Sequence, residues 1–129
     1  MIVIIPAYEP DYRLENLVSS LKKEKNLKLI VVNDGSSSDE VFNKIKNDVI
    51  ILKHDVNLGK GSAMKTGLNY VLNNFNGESV VFADADGQHS SNDIVNVSLL
   101  DDGLSLIIGT RDFRNKVVYQ IYPKSFRDS

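Results

Sequence analysis

The stretch that decides the fold is IVIIPAYEPDYRLENLVSSLKKEKNLKLIVV, residues 2–32. It begins and ends with continuous apolar runs rich in β-branched residues, which are typical of strands buried on both faces of a parallel sheet. Between the two runs, apolar residues recur at helical spacing among charged ones. They are Leu14, Leu17, Val18 and Leu21. The stretch therefore predicts a strand, an amphipathic crossover helix and a second, parallel strand.

The same alternation continues along the rest of the chain. Strands are predicted at 2–5, 28–32, 49–53, 79–83 and 104–109. Helices are predicted around 14–21, 40–46 and 61–72, with a weaker one at about 93–99. This order predicts an α/β fold with a doubly wound, mainly parallel sheet and helices on both faces.

Composition limits the classes of function. The chain has 129 residues, 42% of them hydrophobic, which suffices for one domain with one core. Its formal net charge of -2 excludes a strongly basic surface for nucleic acid, and the absence of cysteine excludes thiolate metal sites. No apolar run approaches the roughly 18 residues of a membrane-spanning helix. We expect a soluble, cytoplasmic chain, and its composition is compatible with a homo-oligomer.

Ligands of open parallel sheets bind outside the carboxyl ends of the strands. Asp84 and Asp86 follow the fourth predicted strand two residues apart, so extended backbone points both carboxylates the same way. Two carboxylates can share Mg²⁺ or Mn²⁺, with Gln88 as a further oxygen ligand. The alternative is an Asp-Gly turn whose acidic side chains are solvated.

Three other loops at this edge carry polar or aromatic candidates. Gly59 and Lys60 precede a predicted helix, and the N-terminus of a helix favours anions. The segment matches neither a Walker A loop nor a dinucleotide-binding fingerprint. The alternative is a flexible turn in which the Lys60 side chain is solvated. Asp34 could accept hydrogen bonds from a nucleobase or ribose, or form an Asx turn. Tyr8 could stack on a base or cover the sheet edge. His54 and His89 receive no catalytic role.

Five motifs, taken in order, resemble family 2 glycosyltransferases of the GT-A fold, especially the polyprenyl-phosphate and dolichyl-phosphate-mannose-synthase-like branch. The motifs are IIPAYE at 4–9, VVNDGS at 31–36, NLGKGSA at 57–63, ADADGQH at 83–89 and GTR at 109–111. The resemblance covers residues 1 to about 116.

The resemblance implies a site for a nucleoside-diphosphate sugar. Its donor-binding residues would be Pro6, Ala7, Tyr8, Glu9, Val32, Asp34, Gly59, Lys60, Asp84, Ala85 and Gln88. A DXD motif, Asp84 and Asp86 with Gln88, would hold Mg²⁺ or Mn²⁺ against the diphosphate, and Asp86 and Arg111 would take part in catalysis. The family's first loop often reads Tyr-Asn-Glu, whereas this chain has Glu9-Pro-Asp11 after its tyrosine, so either acid could take that place.

The implied reaction is direct displacement at the anomeric carbon with inversion, to a polyprenyl phosphate or a saccharide acceptor. A phosphate acceptor is already anionic and needs no general base. Members of the family continue past the fifth strand, so we expect a truncated domain that holds mainly the donor and metal site. The full-length form would be associated with the inner face of the membrane.

The C-terminal segment, residues 117–129, departs from this pattern. It resembles the opening strand of α-amylase-superfamily glucosidases, and thirteen residues are too few to carry the function of that barrel. A fusion, a cloning scar, a sequence error or chance likeness could account for it. The alternation of Val118, Gln120 and Tyr122 also permits an added edge strand. We therefore divide the chain into a donor-binding domain, 1–116, and an atypical tail.

Three other interpretations compete with the glycosyltransferase. An apolar strand followed by Asp84-Ala-Asp86 superficially matches haloacid-dehalogenase-like phosphatases, although their acidic pair belongs on the first strand. A receiver-like signalling domain has this length and fold class, and Asp55 could be its phosphoacceptor, but Arg111 stands where it needs a lysine. A module that only binds nucleotide is the third interpretation.

Overall fold

The structure is a computed structural model that describes residues 1–75, 77–86 and 94, together with the backbone of two later strands. Its helices are α1 (Tyr12–Leu21), α2 (Glu40–Ile45) and α3 (Lys60–Asn74). Its strands are β1 (Ile2–Ala7), β2 (Lys28–Asp34), β3 (Ile50–His54), β4 (Val80–Phe82), β5 (Ser105–Arg111) and β6 (Val117–Pro123).

The first four strands form a parallel sheet in the order β3-β2-β1-β4. Strand order reverses between β1 and β4, because the chain builds outward from β1 to β3 and then crosses back to the other side of β1. Such a reversal creates a crevice at the carboxyl edge of the sheet. The predicted α/β, parallel architecture is confirmed.

Helices cover both faces of this sheet, as predicted. One core lies between the sheet and α1 and α2, where its main members are Val3, Ile5, Val31, Leu14, Val18 and Phe42. The other lies against α3, where its main members are Ile2, Ile4, Ile30, Val32, Ala63 and Val71. Alternate residues of β1 and β2 thus enter opposite cores, which explains why both strands are apolar throughout.

The start of α1 and the middle of α3 fix how these helices meet the sheet. Asp11 caps α1, because its carboxylate accepts the Arg13 amide at 2.9 Å. In α3, a Cβ added at Gly67 would lie 2.6 Å from Cγ2 of Ile4. Glycine at this position therefore lets α3 approach β1 more closely than any other residue would.

Three of the parallel strands extend beyond the predicted apolar runs at the edge where ligands are expected, whereas β4 ends at Phe82, one residue before the predicted end. β1 reaches Ala7 and β2 reaches Asp34, each two residues further than predicted, and β3 reaches His54. The ladder continues because Asn33 and Asp34 still pair with Lys53 and His54 on β3. The polar residues of the site therefore begin on the strands themselves and not only in the loops.

The later part of the chain contains β5 and β6, which pair as an antiparallel two-stranded sheet from Ser105↔Pro123 to Arg111↔Val117. The segment that was predicted to be compatible with an added edge strand is therefore extended and hydrogen-bonded to β5. The helix predicted at about 93–99 lies outside the described residues, except Ile94, which is buried in the core beside α1 and α2.

Candidate donor site

A cavity of about 440 Å³ opens at the carboxyl edge of the sheet. The carboxyl ends of β1 and β2 and the segments after β1, β3 and β4 contribute to it, and its volume is in the range of small-molecule sites. Its lining residues are Pro6, Ala7, Tyr8, Asp34, Asn57, Gly59, Lys60, Asp84, Ala85 and Asp86. The site therefore lies where the strand order predicts a ligand.

Asp34 is the most tightly held carboxylate of the cavity wall, with 3% of its surface exposed. Oδ1 lies 2.8 Å from His54 Nδ1 and accepts the Leu58 amide at 2.9 Å. Oδ2 accepts the Asn57 side-chain amide and the Gly59 amide, both at 3.0 Å. Burial alone would raise the pKa of Asp34, but the hydrogen bonds from Leu58, His54 and Gly59 outweigh it and hold that pKa below its ordinary value.

Lys60 and Asp84 face each other across the cavity. Lys60 is the first residue of α3, and its Nζ donates to Oδ1 of Asp84 at 2.5 Å. The lysine side chain is 63% exposed and the aspartate side chain 20%. An exposed ion pair of this kind is weak and screened by water, so a ligand with its own charges can rearrange it.

Asp84 and Asp86 both line the cavity immediately after β4. The contact with Lys60 means that Asp84 already holds a cation, and carboxylate oxygens are the ligands that Mg²⁺ and Mn²⁺ prefer. Within residues 1–75 and 77–86, no three metal-ligating side chains cluster together. A Mg²⁺ site needs only one or two carboxylates when substrate phosphates and water complete its shell, so the aspartate pair fits such an ion.

The loop after β1 is fastened to the loop after β2 through Glu9. The Glu9 amide donates to Ser36 Oγ at 2.9 Å, and its carboxylate accepts the amide and the hydroxyl of Ser37 at 2.5 and 3.0 Å. Glu9 adopts a positive φ of 49°, which is uncommon for a residue with a side chain. These bonds leave the neighbouring Tyr8 on the surface, where it is 56% exposed.

Arg13, at the start of α1, adds a cation within electrostatic range of Asp86. Its guanidinium donates to both carboxylate oxygens of Asp11, at 2.9 to 3.2 Å. The hydrogen bonds that Arg13 donates to Asp11 are the main cause of the raised pKa of Arg13, and the charge of Asp86 contributes to it as well. The aspartate pair after β4 therefore has a lysine beside one member and an arginine within electrostatic range of the other.

Comparison of the sequence with known protein families agrees with a ligand site at this edge of a parallel sheet. The family model for glycosyl transferase family 2 matches residues 2–128. The chain belongs to glycosyl transferase family 2. The match includes β5 and β6, so the family pattern continues through nearly all of the segment after residue 116.

Several relatives of this family 2 glycosyltransferase have named activities. It is 30% identical to the UDP-N-acetylglucosamine–dolichyl-phosphate N-acetylglucosaminyltransferase of Methanococcus voltae, with 84% of this chain and 51% of that protein covered. It is 32% identical to a dolichyl-phosphate beta-glucosyltransferase of Trichomonas vaginalis, over 66% of this chain and 30% of that protein. An uncharacterized protein of Methanocaldococcus jannaschii is 32% identical over 84% of the chain and 45% of its own length.

The family 2 glycosyltransferase chain thus spans about half the length of the first of these relatives. Among its described residues, none of the helices has the length and apolar character required to cross a bilayer. Membership of this family favours the transferase over the phosphatase and receiver interpretations.

Most of the donor-site residues predicted for this glycosyltransferase lie together at the cavity. Those that line it are Pro6, Ala7, Tyr8, Asp34, Gly59, Lys60, Asp84, Ala85 and Asp86. Glu9 lies outside the lining and bonds to Ser37, and Val32 is fully buried against α3. Gln88 lies outside the described residues. Arg111 is the last residue of β5, and its side chain is not described.

Three residues in or next to the wall of the candidate site were missing from the sequence-based prediction. Asn57 lines the cavity, and His54 and Thr66 connect its wall to α3, with His54 Nε2 lying 2.7 Å from Thr66 Oγ1. Asn57 could have been found, because it opens one of the five family-like motifs. His54 carried no such signal, since a single histidine at a strand end is as common in structural roles.

Proposed function

We propose that this chain binds a nucleoside-diphosphate sugar together with Mg²⁺ or Mn²⁺ and serves as the donor half of an inverting glycosyltransferase. The observation that carries the proposal is the single cavity in which Asp84 and Asp86 lie opposite Lys60. A diphosphate and a divalent cation together present both signs of charge. A site with two carboxylates and an ammonium group is complementary to that pair.

The remaining cavity wall suits the nucleoside. Pro6, Ala7 and the exposed ring of Tyr8 form an apolar side, on which a base can stack. Asn57, whose side-chain amide donates to Asp34, also lines the cavity. We place the base and ribose on this side and the diphosphate toward Lys60.

The residues after β4 hold the metal in this proposal. Asp84 and Asp86 would ligate it, and Gln88 is predicted to follow them. Bound in this way, the ion would stabilise the negative charge that develops on the diphosphate as the sugar departs. Lys60 adds positive charge on the other side of the same group, and Arg111 is predicted to approach it from β5.

The transfer forms a bond between an acceptor oxygen and the anomeric carbon while the bond from that carbon to the diphosphate breaks. The electron pair leaves with the nucleoside diphosphate, and attack from the opposite face inverts the anomeric configuration. We propose a polyprenyl phosphate as the acceptor, or otherwise a saccharide. The names of two relatives, which both specify dolichyl phosphate, support the lipid phosphate. A lipid acceptor would place the complete protein at the inner face of the membrane.

Calorimetry tests the donor site directly. The chain is titrated with UDP-, GDP- and dTDP-sugars, with and without excess Mn²⁺. We expect at least one donor to bind in a metal-dependent manner, and Asp86→Ala to lose that dependence. Asp48→Asn is the control, because Asp48 precedes β3 at the opposite edge of the sheet and pairs with Lys22. Donor affinity that is equal in wild type and Asp86→Ala would overturn the metal assignment.

A further inference from the structure

The side chain of His54 is a buried polar link that the proposed donor site does not use. It is 9% exposed, belongs to the last residue of β3 and is not among the residues that line the cavity. Its Nδ1 lies 2.8 Å from Oδ1 of Asp34, and its Nε2 lies 2.7 Å from the hydroxyl of Thr66. The ring therefore connects a residue of the cavity wall to α3.

The partners of the His54 ring decide which of its atoms carry protons. The Thr66 hydroxyl has one proton, which it donates to the Ser62 carbonyl at 3.0 Å, so toward Nε2 it can only accept. The Asp34 carboxylate accepts two backbone amides and has no proton of its own to give. His54 therefore donates from both ring nitrogens, as an imidazolium does.

The bond from His54 anchors one oxygen of Asp34, and the other oxygen is bonded to a residue of the cavity wall. Oδ1 takes His54 and the Leu58 amide, whereas Oδ2 takes the Gly59 amide and the side-chain amide of Asn57. Asn57 lines the cavity and is exposed, so it is the partner of Asp34 that a nucleoside can replace at the lowest cost. Anchoring Oδ1 thus fixes the orientation in which Oδ2 and Asn57 meet a nucleoside.

The other end of the link is attached to a tightly packed part of α3. Thr66 directly precedes Gly67, where a Cβ would lie 2.6 Å from Cγ2 of Ile4 in β1. The Thr66 hydroxyl can therefore leave His54 only if its own rotamer changes or the helix moves. Binding sites that are supported from regular elements hold their geometry better than sites supported by loops alone.

We propose that His54 and Thr66 are positioning residues for nucleoside recognition: the two hydrogen bonds of His54 hold the Asp34 carboxylate, and with it Asn57, in the orientation that the nucleoside requires. This rests on the proposed donor site. Neither residue touches the donor in this arrangement. Loss of the Thr66 hydroxyl should weaken nucleoside binding, although Thr66 lies outside the cavity lining, and should leave Mn²⁺ binding at Asp84 and Asp86 unchanged.

Two substitutions at Thr66 separate the hydroxyl from the shape of the side chain. Thr66→Val keeps the shape and removes the hydroxyl, whereas Thr66→Ser keeps the hydroxyl. Both variants and wild type are titrated with uridine, guanosine and thymidine by ligand-observed NMR. For the nucleoside that binds wild type, we expect Thr66→Val to lose about 5- to 10-fold in affinity and Thr66→Ser to stay within about 2-fold.

The control is Asp55→Asn, which removes an exposed carboxylate next to His54 in the loop after β3 and should bind the nucleoside as wild type does. Nucleoside affinity that is equal in wild type and Thr66→Val would overturn the proposal. So would equal losses in Thr66→Val and Thr66→Ser, because the hydroxyl would then not be what matters.

The ring of His54 can be tested in the wild type without any substitution at the link. The chain has two histidines, so ¹⁵N-labelled histidine gives two sets of ring signals, and His89→Gln assigns them. We expect both ring nitrogens of His54 to carry a proton at about pH 7. A ring nitrogen without a proton would contradict the arrangement in which His54 donates to Asp34 and Thr66 together.

The two proposals fail in different ways. A wild type that binds neither nucleoside nor nucleoside diphosphate overturns the donor site, whatever the ring signals of His54 show, and a positioning role at that site falls with it. A wild type that binds a nucleoside diphosphate with Mn²⁺, and a nucleoside no better than Thr66→Val does, supports the donor site and overturns the positioning role alone.

Discussion

Lys60 and Asp34 use their charges in contrasting ways, although both line one cavity. Asp34 is 3% exposed, and protein donors saturate its carboxylate. The Lys60 side chain is 63% exposed and has one described hydrogen bond, to Asp84. A buried, saturated charge organises structure, whereas an exposed charge can exchange its partner for a ligand. We therefore expect changes at Lys60 to alter binding more than folding.

Substitution of Lys60 by methionine should change metal and nucleotide affinity in opposite directions. In the absence of nucleotide, the ammonium competes with a divalent cation for Asp84, so Lys60→Met should bind Mn²⁺ severalfold more tightly. With a nucleoside diphosphate, the variant lacks a cation near the phosphates and should bind roughly 5- to 50-fold more weakly, or about 1–2 kcal/mol.

Electron paramagnetic resonance of free Mn²⁺ measures the first effect, and calorimetry measures the second. The control is Lys53→Met, because Lys53 is an exposed lysine of β3 that pairs with Asp39 away from the cavity. Mn²⁺ affinity that does not respond to Lys60→Met would show that Asp84 is not part of the metal site.

The elements that build the site are held in place by a close contact between α3 and β1. The contact depends on Gly67, where a Cβ would come within 2.6 Å of Ile4, a fully buried residue. Overpacking a core contact costs about 1–3 kcal/mol, and the better helix propensity of alanine returns up to about 1 kcal/mol. Gly67→Ala should therefore lower the free energy of unfolding by about 1–2 kcal/mol.

Gly61→Ala provides the matched control in the same helix. A Cβ at Gly61 meets no atom within 4 Å, so only the gain in helix propensity applies. Urea unfolding should place Gly61→Ala at or slightly above the wild type and Gly67→Ala clearly below it. Equal midpoints for the two variants would mean that α3 can move away from β1 without cost.

Elements were predicted well wherever a pattern of apolar residues defined them. The runs 2–5 and 28–32 lie inside β1 and β2, and the spacing of apolar residues in α1 identified its buried face. The strand ends were missed because Asn33 and Asp34 are polar yet buried, and their place in the ladder depends on partners in β3. Hydrophobicity along one segment contains no information about such partners.

The sequence singled out some of the residues that line the cavity and missed others. Asp84 and Asp86 were singled out because a carboxylate pair after a strand has a recognisable spacing, and both line the cavity. The extended backbone that was expected to align them is absent, because β4 ends at Phe82 and Asp86 lies in a turn. The roles of His54 and Thr66 depend on contacts between residues 12 positions apart, which follow only from the packing of α3 against β3. Glu9 was assigned to the donor site from its position in a family-like motif. Its hydrogen bonds to Ser37 could not be predicted in this way, because they depend on how the loops after β1 and β2 fold against each other.

In the whole molecule, the candidate donor site and the stability of the sheet depend on the same residue, Asp34. Asp34 connects β2, the loop after β3 and, through His54, α3. Its carboxylate can make these bonds only in the folded chain, so its ionisation is linked to global unfolding. The protein should therefore show an acid-dependent stability in which Asp34 has a measurable share.

The sign of this dependence follows from the lowered pKa of Asp34. A carboxylate whose pKa is lower in the folded state stabilises the fold above its unfolded pKa of about 3.9, and this contribution is lost as pH falls through the folded pKa. Urea unfolding at about pH 7 should find Asp34→Asn less stable than wild type, and the gap should narrow steadily below about pH 4. Glu78, whose pKa is lowered mainly by a hydrogen bond from Lys28, contributes equally to both proteins and cancels in the difference.

Asp55→Asn again serves as the control, because it removes an exposed carboxylate from the same loop. Its stability should follow that of the wild type at every pH. A gap between wild type and Asp34→Asn that stays constant down to about pH 3 would mean that the ionised carboxylate is not what stabilises the loop. In that case the shape of the side chain alone would join β2 to α3, and the pKa of Asp34 would not be lowered in the folded state.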